Sequence, residues 1–159
     1  MNIYDRLTED HGKQRGLVGG LTDTTGDSKE RRRLYQLLKE ELEAHASAEE
    51  QAFYGPLMEY ERGQPRARHS VAEHKTLADI LSELDETDMS SGAWLTKAKH
   101  LQHKLIHHLD EEEDEVFVLA KKIIPEDDAL TLGEKFDELK RDKLKNIERL
   151  EALEAAAED

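Results

Sequence analysis

Apolar residues recur at three- and four-residue spacings in five stretches of the chain, the period of helices that bury one face. The first helix is expected over about residues 2–21, where Ile3, Leu7, His11, Gln14, Val18 and Leu21 form a line. Gly19-Gly20 and the polar stretch 22–28 end it. The second, about 28–60, is capped by Asp27 or Ser28. Its line is Leu34, Leu38, Leu42, His45, Glu49 and Ala52, widened by Leu37, Phe53 and Leu57, and Pro56 bends or closes it. Residues 61–65 read as a linker. The third helix, about 66–86, carries Val71, His74, Leu77 or Ala78, Leu81 and Leu84. Ser90 or Ser91 caps the fourth, about 91–124, whose line is Leu95, Ala98, Leu101, Leu105, His108, Glu112, Val116 and Leu119 before Pro125 stops it. A last helix from about Thr131 places Leu132, Phe136, Leu139, Lys143, Ile147, Leu150 and Leu153 roughly on one side, and Ala155–Asp159 is expected to fray. Strand-like alternation is missing. The pattern predicts an all-α protein: an up-down-up-down four-helix bundle over residues 1–124, with an additional C-terminal helix in 125–159 that packs on the bundle or on a partner.

Composition narrows the function classes. The 159 residues fit one domain. Hydrophobic residues make up 36% and charged residues 38%, so the core is lean and periodicity, rather than composition, argues against disorder. Asp and Glu number 37 against 23 Lys and Arg, a net charge of −14, which repels duplex nucleic acid and anionic membrane surfaces. The longest basic run, Arg31-Arg32-Arg33, is too short to reverse that. Cysteine is absent, which removes disulfides, thiolate metal sites and cysteine nucleophiles. A reducing compartment is compatible, and the expected location is cytoplasmic. Residues 1–7 lack a signal segment, and no apolar run approaches the ~20 residues of a membrane span.

The candidate chemistry lies in the histidines and in two glutamates. His11, His45, His74 and His108 each fall on the apolar line of a different helix, near its middle. In two of these helices a glutamate follows at i+4, as His45-x-x-x-Glu49 and His108-x-x-x-Glu112, so it points into the same layer as the histidine. A buried glutamate requires a partner, and no Lys or Arg stands on the facing lines. Four imidazoles and two carboxylates in one core therefore call for a cation, and mixed N and O donors suit iron, manganese or zinc. The two carboxylates can bridge a pair of ions. Six side chains are too few for two full shells, so water, hydroxide, an oxo bridge or an exogenous ligand supplies the rest.

The face distinguishes His108 from His107. His108 lies among Leu101, Leu105 and Leu109, whereas His107 continues the polar line of His100 and His103. His100, His103 and His107 are expected at the surface, and His69 near a helix entrance, off the His74 face. Glu50, Glu111, Glu113, Asp114 and Glu115 read as solvated charge runs, Glu50 with the least support. Tyr54 and Phe117 each follow an inward glutamate by five and are expected to pack beside the polar layer, where a Tyr hydroxyl is also able to hydrogen-bond the groups behind the ligands.

These residues carry a resemblance. Asp10-His11, then His45-x-x-x-Glu49-Glu50 with Phe53-Tyr54, then Glu73-His74-x-x-Leu77, then His107-His108-x-x-Glu111-Glu112-Glu113 with Val116-Phe117 make the chain similar to bacterial hemerythrin-like proteins of the hemerythrin HHE cation-binding family, over residues of about 3–124. The resemblance implies a non-haem di-iron centre inside the bundle, with His11, His45, Glu49, His74, His108 and Glu112 as ligands. It also implies two iron ions bridged by the two carboxylates and an oxo, hydroxo or water oxygen. One departure matters. Oxygen-carrying members place a second histidine one turn after the third-helix histidine, where this chain has Ala78. They also carry an aspartate five residues after the last-helix histidine, where this chain has Glu113. An iron with one imidazole fewer is more open.

Three functions compete at this level. The first is a di-iron protein that binds or senses dioxygen, nitric oxide or peroxide. The single-domain build shows no output module, so sensing requires a partner. The second is a peroxidase-like, catalase-like or oxidase enzyme at the same centre. Nothing names a substrate: Gly16, Gly19 and Gly20 lack the strand-turn-helix setting of a phosphate loop, and no nucleophile triad is present. The third is a metal-binding or iron-handling interaction protein, in which the last helix pairs with a second copy or another protein.

Overall fold

The computed structural model describes residues 1–158 and is helical throughout, with no strand among the described residues. Helix α1 spans Ile3–Thr22. Helix α2 runs Lys29–Glu49, passes through a π-helical turn at Glu50–Tyr54 and closes with Gly55–Met58. A short 3-10 turn, Glu61–Gly63, leads into α3, Gln64–Glu86. Helix α4 repeats the plan of α2: Gly92–Glu111, a π-helical turn at Glu112–Val116, then Phe117–Ile123. Helix α5 is one rod, Glu126–Glu158.

Side-chain oxygens cap three of these starts. Asn2 accepts from the Asp5 amide at 2.9 Å, Ser28 from Arg31 at 3.1 Å and Ser91 from Trp94 at 3.3 Å. Asp27, the other candidate cap of α2, instead pairs with Arg32. The four expected helices pack as the expected bundle. Two apolar clusters fill it, one on each side of a polar layer. Ile3, Leu7, Phe53, Tyr54, Val116 and Phe117 lie on one side. Val18, Leu38, Leu42, Leu81, Leu101 and Leu105 lie on the other. The far end is closed by Arg31, whose guanidinium donates to Thr24 and to the Met89 carbonyl and lies 4.9 Å over the Trp94 ring. The basic run is thus not a surface stripe: its first arginine is buried.

Helix α5 departs most from the sequence reading. It begins at Glu126, five residues before the expected Thr131, with Glu126, Asp127 and Asp128 in its first turn, where acidic groups favour the helix dipole. It lies along α1 and α2. Its inward line is Ala129, Gly133, Phe136, Lys140 and Ile147, whereas Leu150 and Leu153 are exposed. Gly133 sits against the start of α1, where an added Cβ would stand 2.2 Å from the Met1 carbonyl oxygen. The helix continues through the expected fraying tail to Glu158, and Asp159 lies outside the described residues. Two further positions differ: Leu37 is exposed on α2, and buried Trp94, not Leu95, starts the α4 line.

The two helix pairs are built on one plan. His11 and His74, His45 and His108, Glu49 and Glu112, Glu50 and Glu113, and the caps Ser28 and Ser91 are each 63 residues apart. Half one, α1–α2, and half two, α3–α4, therefore present matching residues to a shared interior.

Candidate metal centre

The polar layer between the two apolar clusters holds all six residues singled out in the sequence. His11, His45, Glu49, His74, His108 and Glu112 are all buried, with Glu49 and His11 fully so. Each histidine turns Nε2 inward. His45 Nε2 and His74 Nε2 lie 3.5 and 3.1 Å from Glu49 Oε1. His11 Nε2 and His108 Nε2 lie 3.2 and 3.7 Å from the two oxygens of Glu112. Two overlapping donor sets result: His11, His45, Glu49 and Glu112, and Glu49, His74 and His108. His107, by contrast, is exposed. His100 and His103 are exposed as expected, and His69, on the first turns of α3, is exposed too.

The outward nitrogens follow a rule that the sequence reading missed. His11 Nδ1 meets Glu113 at 2.6 Å, His108 Nδ1 meets Glu73 at 2.8 Å, His74 Nδ1 meets Glu50 at 3.2 Å and His45 Nδ1 meets Asp10 at 2.8 Å. Each carboxylate sits on a neighbouring helix. The sequence α1 to α4 to α3 to α2 and back to α1 closes a ring. An ionised carboxylate only accepts, so each Nδ1 donates to it and Nε2 is the nitrogen that faces inward, a metal donor once it carries no proton. Glu50 and Glu113, which the charge pattern placed in solvated runs, stay partly exposed, yet each also holds a histidine of another helix. Asp10 and Glu73, which the sequence reading used only as flanking matches, hold histidines of other helices. The signal was present as the constant offset: Asp10 and Glu73 precede their helix's histidine, and Glu50 and Glu113 follow theirs by five.

The π turns place the aromatic neighbours. In an uninterrupted α-helix, a residue at i+5 is rotated well away from residue i. A π turn closes over five residues and restores it to the same side. Tyr54 and Phe117 are accordingly buried beside Glu49 and Glu112. The Tyr54 hydroxyl donates to Glu112 across the bundle. Burial and the nearby carboxylates of Glu112 and Glu49 hold that hydroxyl well above its ordinary pKa, so it stays a donor.

Electrostatics records the crowding of acceptors. Burial by itself would push His45 down, but Glu49 and Asp10 favour its cation and hold it up at about 10. His74 is likewise held at about 9 by Glu49 and Glu50 against the effect of burial. Glu112 is raised by burial and by the Glu49 charge. Asp10 is lowered: although buried, it faces His45 and Lys140. Lys140 of α5, itself buried, lies 2.8 Å from both Asp10 and Glu41, a buried cation that the sequence reading, with Lys143 on its line, did not place.

The residues present fit a metal. His11 Nε2, His45 Nε2, both oxygens of Glu49 and Glu112 Oε1 are buried and lack a hydrogen-bond partner among the described residues. Buried polar atoms are otherwise almost always paired. Apart from the Tyr4 hydroxyl in the apolar cluster, the unpaired buried atoms are the ones aimed at the middle of the layer, although the charged groups approach within 4 Å, so proximity without hydrogen-bond geometry is the state of the site. Asp10 and Glu41 form a third donor set with His45, but Lys140 already neutralises it.

Fold and site together define a class: a four-helix bundle with a buried histidine–carboxylate cation site. The hemerythrin HHE cation binding domain model matches residues 2–120, and the chain belongs to that family. It is similar in structure to a hemerythrin HHE cation binding domain-containing protein from Mycobacterium kansasii, with a TM-score of 0.83 at 26% identity, covering 92% of this chain and 89% of that one. No curated protein matches. Among the described residues no helix is long and apolar enough to cross a membrane.

Proposed function

We propose that this cation-binding protein is a non-haem di-iron protein that binds or senses dioxygen, nitric oxide or peroxide, with His11, His45, Glu49, His74, His108 and Glu112 as ligands. The observation that carries it is the set of unpaired, inward-facing donor atoms in two overlapping groups that share Glu49. Glu49 lies between His45 and His74, and Glu112 between His11 and His108, positions suited to bridging two ions. When bound, the ions supply Lewis acidity and, for iron, redox chemistry. The chain's own residues fix the imidazoles through the carboxylate ring, keep bulk water out and place the Tyr54 hydroxyl against Glu112.

Ligand size is limited by an apolar cavity of about 70 Å3 beside the layer, lined by His45, His74, His108, Leu77, Ala78 and Leu105. A histidine at position 78 would project at this cavity's edge. Alanine leaves room there for a diatomic molecule or peroxide. The test is metal analysis of protein purified without added metal, paired with its visible spectrum. The reading expects about two iron ions per chain and charge-transfer bands that respond to azide or nitric oxide. Bound iron with a spectrum indifferent to both ligands would refute it.

The enzymatic reading has one observation in its favour, the protonated Tyr54 hydroxyl at Glu112. Turnover of peroxide by the iron-loaded protein, reduced at least tenfold in Tyr54→Phe with iron retained, would establish it.

A further inference from the structure

We propose that His69, Glu73 and Glu111, with His107 at the rim, form a second divalent-cation site of the zinc type, on the outer face of α3 and α4. His69 Nε2 lies 3.0 Å from Glu111 Oε1 and 3.5 Å from Glu73 Oε2. One donor atom from each of the three residues lies within 4.8 Å of the others. Bonds of about 2.0–2.2 Å in a tetrahedral zinc site put neighbouring donors roughly 3.3 Å apart, so these separations are those of a coordination edge. His107 Nε2 stands 3.1 Å from the other oxygen of Glu111, at the rim of the three-residue set, and is the fourth donor of the proposed site. All four residues line one groove between the helices.

The matching positions of the first half show why a cation belongs here. At an offset of 63, His69 corresponds to Arg6, Glu73 to Asp10, His107 to Ala44 and Glu111 to Ala48. In the first half, Arg6 and Lys140 supply permanent positive charge to Asp10, and α5 covers the two alanines. In the second half no helix covers the face. Two carboxylates stand there with two imidazoles, and among the described residues neither pairs with a Lys or Arg. Lys104 lines the groove but forms no ion pair with them. Two carboxylates and two imidazoles are the donor set of a borderline-soft divalent ion. Glu73 can serve both places at once: Oε1 accepts from His108 Nδ1 at 2.8 Å, while Oε2 faces His69. The surface ion and the interior layer would share one carboxylate.

The experiment is equilibrium dialysis of the iron-loaded, full-length protein against zinc chloride, with iron and zinc per chain counted by mass spectrometry. The comparison is with His69→Ala/His107→Ala, whose substituted residues are both exposed, and with Glu111→Gln. The wild type is expected to hold one more zinc per chain than the double variant. Glu111→Gln is expected to bind that zinc at least tenfold more weakly, with interior iron equal in all three. Matching melting temperatures would show that the variants fold. Equal zinc in the wild type and the double variant would overturn the proposal. Because the readout is a difference of one zinc, it holds whatever the interior layer contains. An interior without iron would refute the proposed function and leave this site standing or falling on its own.

Discussion

Half one and half two present the same histidines and glutamates to the interior and opposite faces to the outside. Behind His45, the α1–α2 half has a dry network: Asp10 between Lys140 and Arg6, Glu41 beside Lys140, and Phe136 edge-on to the His45 ring at 5.5 Å. Arg6 lies 5.0 Å over the Phe136 ring and is hydrogen-bonded to Asp137. Behind His108, the α3–α4 half has Glu73 at 20% side-chain exposure, in contact with His69 and open to water. The inner residues are constrained by a shared centre and therefore match. The outer residues are constrained by what covers them, and α5 covers one half. The difference separates two roles that the same hydrogen bond plays: on the covered side it is coupled to fold stability, and on the open side to the centre alone.

The largest expected effect breaks the symmetry at its middle. Glu49 contributes to both donor groups. Glu49→Ala is expected to abolish metal binding at both, because it removes the shared donor, whereas His108→Ala is expected to remove or halve it. Metal counts per chain check this, and a Glu49→Ala protein with two ions would show that the carboxylate does not bridge. Chelation of the wild type should also lower the melting temperature, since a metal bound only by the native state stabilises it by linkage.

The second effect sharpens the comparison directly. Lys140→Met removes the buried cation shared by Asp10 and Glu41 and leaves them only the more exposed Arg6 and Lys13, so the cost should approach the lower end of the range of about 3–5 kcal/mol for removing one partner of a buried pair. Glu73→Gln on the open side retains a hydrogen-bond acceptor for His108 and meets water. It is expected to leave stability within ~0.5 kcal/mol while weakening metal affinity about 10-fold or more through His108. Denaturant melts of the two variants, read beside their metal affinities, check the contrast. Equal destabilisation would mean that α5 does not distinguish the halves.

The sequence showed much of this and missed the rest for identifiable reasons. The period of 3.6 found the four bundle helices and placed His108 inside and His107 outside, because burial of an amphipathic stripe is a local property. It missed the histidine contacts of Glu50 and Glu113, because a carboxylate that reaches a neighbouring helix sits at the stripe's edge, partly exposed, and looks like any surface acid. Lys140 was missed for a related reason. Hydrophobic patterning discards lysines, and what makes this one buried is a pair of acids far away in the chain. The π turns were also invisible, since nothing in a window of apolar residues announces an extra residue per turn. Their trace was the +5 aromatic at both Tyr54 and Phe117.

A third, smaller effect is a pH dependence of the chelated protein. His45 and His74 are held in the folded state at about 10 and about 9, against an ordinary value of 6.5. A raised pKa contributes stability fully below the unfolded value and loses it as pH rises through the folded one. Glu112, also raised, acts with the same sign. The chelated protein should therefore melt at falling temperature from about pH 6.5 to 10, whereas the iron-loaded protein, whose Nε2 atoms hold metal and not protons, should melt nearly constantly over that range. Scanning calorimetry of both forms checks this. Parallel curves would mean that the imidazoles exchange no proton for the metal.

The smallest expected effect concerns one interior position where the halves differ. Tyr54 corresponds to Phe117 at the offset of 63, so one half carries a hydroxyl that the other lacks. Tyr54→Phe makes the halves alike at this position. The phenyl ring keeps the packing, including the tilted contact with His74 at 5.4 Å. What is lost is one donor to Glu112. With metal bound, that oxygen still has a cation beside it, and the cost should be about 1 kcal/mol or less, the net worth of one hydrogen bond. With metal chelated, the oxygen is left unsatisfied in the core, and the cost should rise to about 1–3 kcal/mol. The expected outcome is a double difference: a small drop in melting temperature for the loaded variant, a larger one for the chelated variant, and two ions per chain in the former. A variant equally destabilised in both states would mean that the Tyr54 hydroxyl and the metal do not share Glu112.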